Sequence, residues 1–187
     1  MKSYNSISIL TGIIIVLMII IMFFIADRRD CFSKIDSLCK ENNKLLLEKN
    51  YLKSKLDSLP LGSPLDTIII SDNFGIRKDP ILKIWRRHPG IDLRGTYADT
   101  ISATGSGHVI KAKLYGGYGR CVIIKHIGGY KSLYAHMNKI FIKNGDKIKL
   151  GQKIGTVGST GFSTGTHLHY EISRNEKITD PKEYLDG

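Results

Sequence analysis

The run Gly158-Ser159-Thr160-Gly161-Phe162-Ser163-Thr164-Gly165-Thr166 leads into His167-Leu168-His169-Tyr170-Glu171, and the two halves ask for different backbones. The glycines of residues 158–165 favour a loop over any sustained helix. The residues that follow suit a strand, on which positions i and i+2 share a face. His167 and His169 then point one way and Leu168 and Tyr170 the other, and a strand is expected over 167–172.

The same texture extends back through the second half of the chain. Short β-branched runs at 67–70, 108–113, 121–126, 131–136, 140–142 and 153–157 read as further strands. Turns fall at Gly116-Gly117, Gly128-Gly129 and Asn144-Gly145-Asp146. An all-β, mostly antiparallel domain is expected over 67–187. Leu59-Pro60-Leu61-Gly62-Ser63-Pro64 breaks any helix twice and marks its boundary, with 60–66 as a linker.

Upstream the texture is helical. Leu38, Leu45, Leu52 and Leu59 are spaced by seven, with Ile35, Asn42, Lys49 and Leu56 three residues before each. This heptad predicts a coiled-coil stalk over 27–59, and a homodimer in which Cys31, on the preceding core position, can pair with its copy. The other reading is a single amphipathic helix lying on the domain or the membrane. Residues 9–26 are uncharged and nearly all apolar. As a helix they span roughly 27 Å, close to a bilayer's hydrocarbon core. Phe24-Ile25-Ala26 is a poor signal-cleavage site, so an uncleaved transmembrane anchor is expected after a short cytoplasmic segment, 1–8. Lys2 argues for an inside N-terminus and Arg28-Arg29 against it, which nearly cancel.

The formal charge is +11. Residues 60–187 hold nineteen Lys and Arg against eleven Asp and Glu. That suits an anionic partner, but no arginine-rich or aromatic-interleaved run points to nucleic acid, and none is expected as a partner. The three cysteines, Cys31, Cys39 and Cys121, form no C-x-x-C pair, which argues against a cysteine zinc site or a thioredoxin-like motif. No Lys-Ser/Thr pair follows the glycine loop, so it is no phosphate loop.

All six histidines lie in the last hundred residues. Catalytic zinc takes three protein ligands from His, Asp or Glu and leaves a fourth position to water. Three clusters could supply them. In His88-Pro89-Gly90-Ile91-Asp92, Gly90 allows a tight bend that brings His88 and Asp92 together. His167 and His169 share a strand face, and in Tyr134-Ala135-His136 the outer two residues are expected to do the same. His108 and His126 read as structural. Each cluster alone is weak.

Together they resemble the lysostaphin-type or LytM-type zinc metallopeptidases. The resemblance runs over roughly residues 72–185: Phe74-Gly75-Ile76-Arg77 with Asp79-Pro80, residues 88–93, Gly117-Tyr118-Gly119, Tyr134-Ala135-His136-Met137, Asn144-Gly145-Asp146, Gly151-Gln152, Gly155, the run 158–171, and Asp180-Pro181. It departs from the usual pattern at Met137 for Leu, Thr166 for Pro and Tyr170 for Phe. It implies an antiparallel-sheet peptidase domain built on a duplicated hybrid motif. It also implies one zinc ion on His88, Asp92 and His169, with His136 and His167 as catalytic histidines.

The resemblance further implies a zinc-dependent endopeptidase acting on peptidoglycan stem peptides or cross-links. Such a substrate lies outside the cytoplasm. It therefore places the domain on the periplasmic or extracytoplasmic side of the inner membrane, on a single-pass anchor. The alternative within the same fold is a non-catalytic wall-binding scaffold or activator of other wall hydrolases. In some latent relatives an asparagine blocks the metal; Asn73, just before Phe74-Gly75, stands where such a residue would, but is not assigned that role.

Overall fold

The computed structural model describes residues 3–79, 81–97 and 99–185. Met1 and Lys2, which carry part of the orientation argument, lie outside the described residues, as does Pro80 of the resemblance. The chain divides into two compact units, Met1–Tyr51 and Leu52–Gly187.

The described part of the first unit is entirely helical and belongs to α1 (Ser3–Leu56, 54 residues). Its apolar portion has a mean hydropathy of 2.3 and is long enough to cross a membrane. Ile15, Met22 and Phe24 are exposed. The heptad residues Ile35, Leu38 and Leu45 are exposed as well. The helix stops at Leu56, short of the expected 59. Leu59 lies in the turn that follows, where its amide donates to the Leu56 carbonyl at 2.9 Å, so it occupies no heptad position.

Among the described residues the second unit holds thirteen strands. In chain order they are β1 (Ile70–Asp72), β2 (Gly75–Lys78), β3 (Trp85–His88), β4 (Ile91–Arg94), β5 (Thr100–Ser102), β6 (Gly107–Leu114) and β7 (Arg120–Lys125). Then come β8 (Tyr130–Ala135), β9 (Lys139–Ile140), β10 (Lys147–Ile148), β11 (Lys153–Thr156), β12 (His167–Arg174) and β13 (Lys177–Thr179). The main sheet runs β1-β4-β12-β8-β7-β6-β10, with β13 also paired to β12. A three-stranded sheet β5-β11-β9 and the hairpin β2-β3 complete it, and every pairing is antiparallel. The expected antiparallel β architecture is therefore observed, after a long apolar helix. The expected strand at 67–70 begins only at Ile70, and β2 to β5, β10 and β13 were not anticipated.

Strand alternation organises the core. Ile91 and Leu93 of β4 are fully buried, as are Leu168, Tyr170 and Ile172 of β12. These five pack in one cluster with Ile101, Ile124, Tyr134, Ile154 and Val157. Leu65, in the segment expected as a linker, belongs to the same cluster. Two tyrosines in so dry a place need partners for their hydroxyls. Tyr170 OH donates to Thr104 Oγ1 at 2.8 Å, and Tyr134 OH accepts from the Thr104 amide at 2.9 Å. Thr104→Val, close to isosteric, strands the Tyr170 hydroxyl. It should cost about 1–3 kcal/mol, read as a lowered unfolding midpoint of the detergent-solubilised chain.

Candidate metal centre

The alternation that sends Leu168 and Tyr170 into the core turns His167, His169 and Glu171 to the opposite face. On β4 it turns Asp92 the same way, between buried Ile91 and Leu93. The register pairs His169 directly with Asp92, so these two side chains meet by strand pairing alone. His88, the last residue of β3, reaches them across the bend Pro89-Gly90. Gly90 is needed there for space: a Cβ would meet the Tyr170 carbonyl oxygen at 2.3 Å. The bend can thus press against β12, which brings His88 onto its partners.

Three donor atoms converge. His88 Nε2 lies 3.0 Å from His169 Nδ1 and 3.3 Å from Asp92 Oδ1, and His169 Nδ1 lies 2.8 Å from Asp92 Oδ1. Zinc bonds of about 2.0–2.1 Å at tetrahedral angles put donors about 3.4 Å apart. The triangle matches one such edge and is a few tenths of an ångström tight on the others, so the set fits the ion. Among the described residues this is the one group of three or more His, Cys, Asp or Glu side chains with metal-ligand spacing.

The surrounding hydrogen bonds set each imidazole's tautomer, because carbonyls and carboxylates only accept. His88 Nδ1 donates to the Asn73 carbonyl at 2.8 Å, which leaves Nε2 facing the triad. Asn73 thus contributes its main chain to the site. His169 Nε2 donates to Glu171 Oε1 at 2.9 Å, which leaves Nδ1. Glu171 also accepts from Tyr118 OH at 2.8 Å. Burial, and then the Glu171 charge, push the Tyr118 phenol above its ordinary range, so it stays a donor. Burial would raise the Asp92 pKa, but when the inner nitrogens of His169 and His88 carry protons their hydrogen bonds outweigh it and hold the carboxyl well below the usual range. Burial also opposes charge on His169, yet its bonds to Asp92 and Glu171, made together only when both nitrogens carry protons, raise it to about 9, so an ion takes Nδ1 by displacing that proton.

His136 and His167 sit beside the triad, with ring centroids 4.9 Å apart. His136 lies just beyond the end of β8 at φ 59°. The expectation that it shares a face with Tyr134 therefore fails. Strand alternation stops at Ala135, and the left-handed backbone turns His136 to the groove while Tyr134 stays in the core. Such a backbone costs a non-glycine residue of order 1 kcal/mol. Two bonds hold it: the His136 amide to the Tyr118 carbonyl at 2.9 Å, and Nδ1 to the Thr160 carbonyl at 2.8 Å. His167 Nδ1 donates to the Gly165 carbonyl at 2.8 Å. The glycine loop thus takes the Nδ1 hydrogen of both rings and leaves Nε2 to the groove, and His167 Nε2 lies 3.6 Å from Asp92 Oδ1. Burial depresses the His136 pKa to about 4, against the pull of its Thr160 bond and helped by repulsion from His167 and His169. At neutral pH it is an uncharged base.

Glu171, Tyr118 and the carbonyls of Thr160 and Gly165 were not assigned roles from sequence. The signal for Glu171 was present, since it stands two residues after His169 on the same strand face. Such partners orient ligands, and losing one typically costs about 10–100-fold in metal affinity. Glu171→Ala should therefore weaken zinc binding by about that factor in chelator competition, while Glu171→Gln, which still offers an acceptor oxygen, should lose less.

His126 is a buried, satisfied residue of the core side. Its Nδ1 donates to the Ser106 carbonyl at 3.0 Å and its Nε2 accepts from Ser132 Oγ at 2.8 Å. Burial holds its pKa below the ordinary value. The unfolded chain then takes up this proton first, so stability should fall as pH drops below about 6.5. In thermal unfolding between pH 7 and 5, His126→Gln should show a shallower decline than the wild type.

Comparison with known proteins places these features in context. The family model described as Peptidase family M23 matches residues 86–181. The chain is 38% identical over 141 residues to the DD-carboxypeptidase/endopeptidase Mpg of Neisseria meningitidis, covering 75% of this chain and 31% of that protein. It is 43% identical over 97 residues to the murein hydrolase activator NlpD of Escherichia coli, covering 51% of this chain and 25% of that protein. A zinc-containing peptidase from Vibrio cholerae, solved by crystallography, superposes with a TM-score of 0.58 at 34% identity, covering 62% of this chain and 37% of that one. The chain spans less than a third of the length of these curated relatives.

Proposed function

The chain belongs to peptidase family M23, and from that premise we propose that it is a zinc-dependent endopeptidase hydrolysing peptide cross-links of bacterial peptidoglycan. The observation that carries this reading is the convergence, on one groove, of three metal-ligating atoms and two imidazoles whose Nε2 lone pairs are free. His88, Asp92 and His169 hold the ion. When bound, zinc lowers the pKa of a coordinated water from 15.7 to about 7 and polarises the peptide carbonyl.

The rest falls to the chain's own groups. His136, neutral at pH 7, accepts the proton of the attacking water at Nε2 and returns it to the leaving amine. Once protonated, it or His167 also offers an N–H to the oxyanion. The groove, about 430 Å³, takes an extended peptide.

The α1 apolar segment anchors the chain in the inner membrane, with the domain on the periplasmic side where peptidoglycan lies. Protease added outside sphaeroplasts should digest the domain, and protection would reverse the topology. The heptad residues pair two stalks in parallel, so Cys31 should give a disulfide-linked dimer on oxidation that Cys31→Ser loses.

One relative is a murein hydrolase activator, which makes a non-catalytic role the second reading. Purified peptidoglycan incubated with the full chain in detergent, with and without chelator, separates them. Peptide-cleaved muropeptides that disappear on chelation and return with zinc are expected. Stoichiometric zinc without any released product would leave only the activator.

A further inference from the structure

We propose that Arg86 is a substrate-binding residue that takes a carboxylate group of the peptide beside the scissile bond; this rests on the peptidase reading and sharpens it to a class of acidic peptide. Arg86 stands two residues before His88 on β3, so the two share a face and lie about 6.6 Å apart along the strand. Arg86 lines the same groove as the metal triad. Directly opposite on β2 is Arg77. Two like charges facing each other across a hairpin repel, and each turns to acids of its own.

Arg77 is turned to Asp72 and Asp92: its Nε lies 3.2 Å from Asp72 Oδ2 without the alignment of a hydrogen bond, and its Nη2 lies 3.8 Å from Asp92 Oδ2. Arg86 makes one ion pair among the described residues, from Nη1 to Asp79 Oδ2 at 3.3 Å. Asp79 is itself committed, since its Oδ1 accepts from the Ile81 and Leu82 amides. The Arg86 side chain is half exposed, which leaves its other N–H groups available to a ligand.

Phe162, Ser163 and Thr164, which also line the groove, carry no charge. Positive charge in the groove therefore comes from the hairpin, where Arg77, Arg86 and Arg87 stand against Asp79. Guanidinium binds carboxylate through two parallel N–H donors, a geometry lysine cannot copy.

The test uses the zinc-loaded full chain in detergent and two synthetic cross-link peptides that differ only in a free carboxylate or a carboxamide next to the scissile bond. Calorimetry should give at least tenfold tighter binding of the carboxylate peptide. Arg86→Gln should abolish that preference and leave amide-peptide affinity and zinc content unchanged, while Arg86→Lys should restore part of it. Equal binding of both peptides by the wild type, or a preference that survives Arg86→Gln, overturns the proposal. Cleavage, scored in parallel, judges the other reading separately. A preference without hydrolysis keeps the subsite and removes the peptidase, and hydrolysis without a preference does the reverse.

Discussion

Replacing Asp92 with alanine is expected to strip the chain of zinc and of all hydrolysis. Its Oδ1 lies within 3.3 Å of both ligand nitrogens, and it supplies the only negative charge among the three donors. Loss of a mere orienting partner costs about 10–100-fold in metal affinity, so loss of the charged ligand should cost more than about 100-fold. A second effect points the same way. Without Asp92, His88 Nε2 and His169 Nδ1 face each other at 3.0 Å with no carboxylate between them. Zinc content after dialysis and activity on purified peptidoglycan should fall together. A variant that keeps stoichiometric zinc would show that the ion is held elsewhere.

His136→Ala should behave in the opposite way, keeping zinc and losing turnover. His136 makes no contact with a ligand nitrogen short enough for a hydrogen bond. It meets His169 only ring to ring, at a centroid distance of 5.7 Å, and its Nδ1 is tied to Thr160. What the substitution removes is a neutral base at the groove. Loss of a single proton carrier or oxyanion donor costs about 10²–10³ in kcat. Zinc affinity within about twofold of wild type, with kcat lowered by that factor, is the expected result. Unchanged kcat would remove His136 from the mechanism.

The site was legible where residue type and local geometry coincide. His167-Leu168-His169 announces itself through the two-residue period of a strand, and His88 to Asp92 through a bend with a glycine. That the same two clusters meet is a matter of register between β4 and β12, which no local pattern carries. The family resemblance supplied it. Tyr134 and His136 misled because alternation was extended one residue beyond the end of β8, into a backbone that no side-chain pattern marks. The carbonyls of Thr160, Gly165 and Asn73 were invisible for a simpler reason, since every residue has one. The hairpin β2-β3 escaped because its strands are four residues each and rich in Arg and Lys, which carry little strand preference. The hydrophobic pattern of the helix was plain, yet Pro60 acts from a distance, and the helix ends three residues earlier than the heptad continues.

X-ray absorption at the zinc edge of the purified full chain tests the shared ion most directly. One zinc per chain is predicted, with two imidazole nitrogens and oxygen donors at about 2.0–2.2 Å and no sulfur. A sulfur shell near 2.3 Å, or zinc that binds as well to the Asp92→Ala chain, would contradict it.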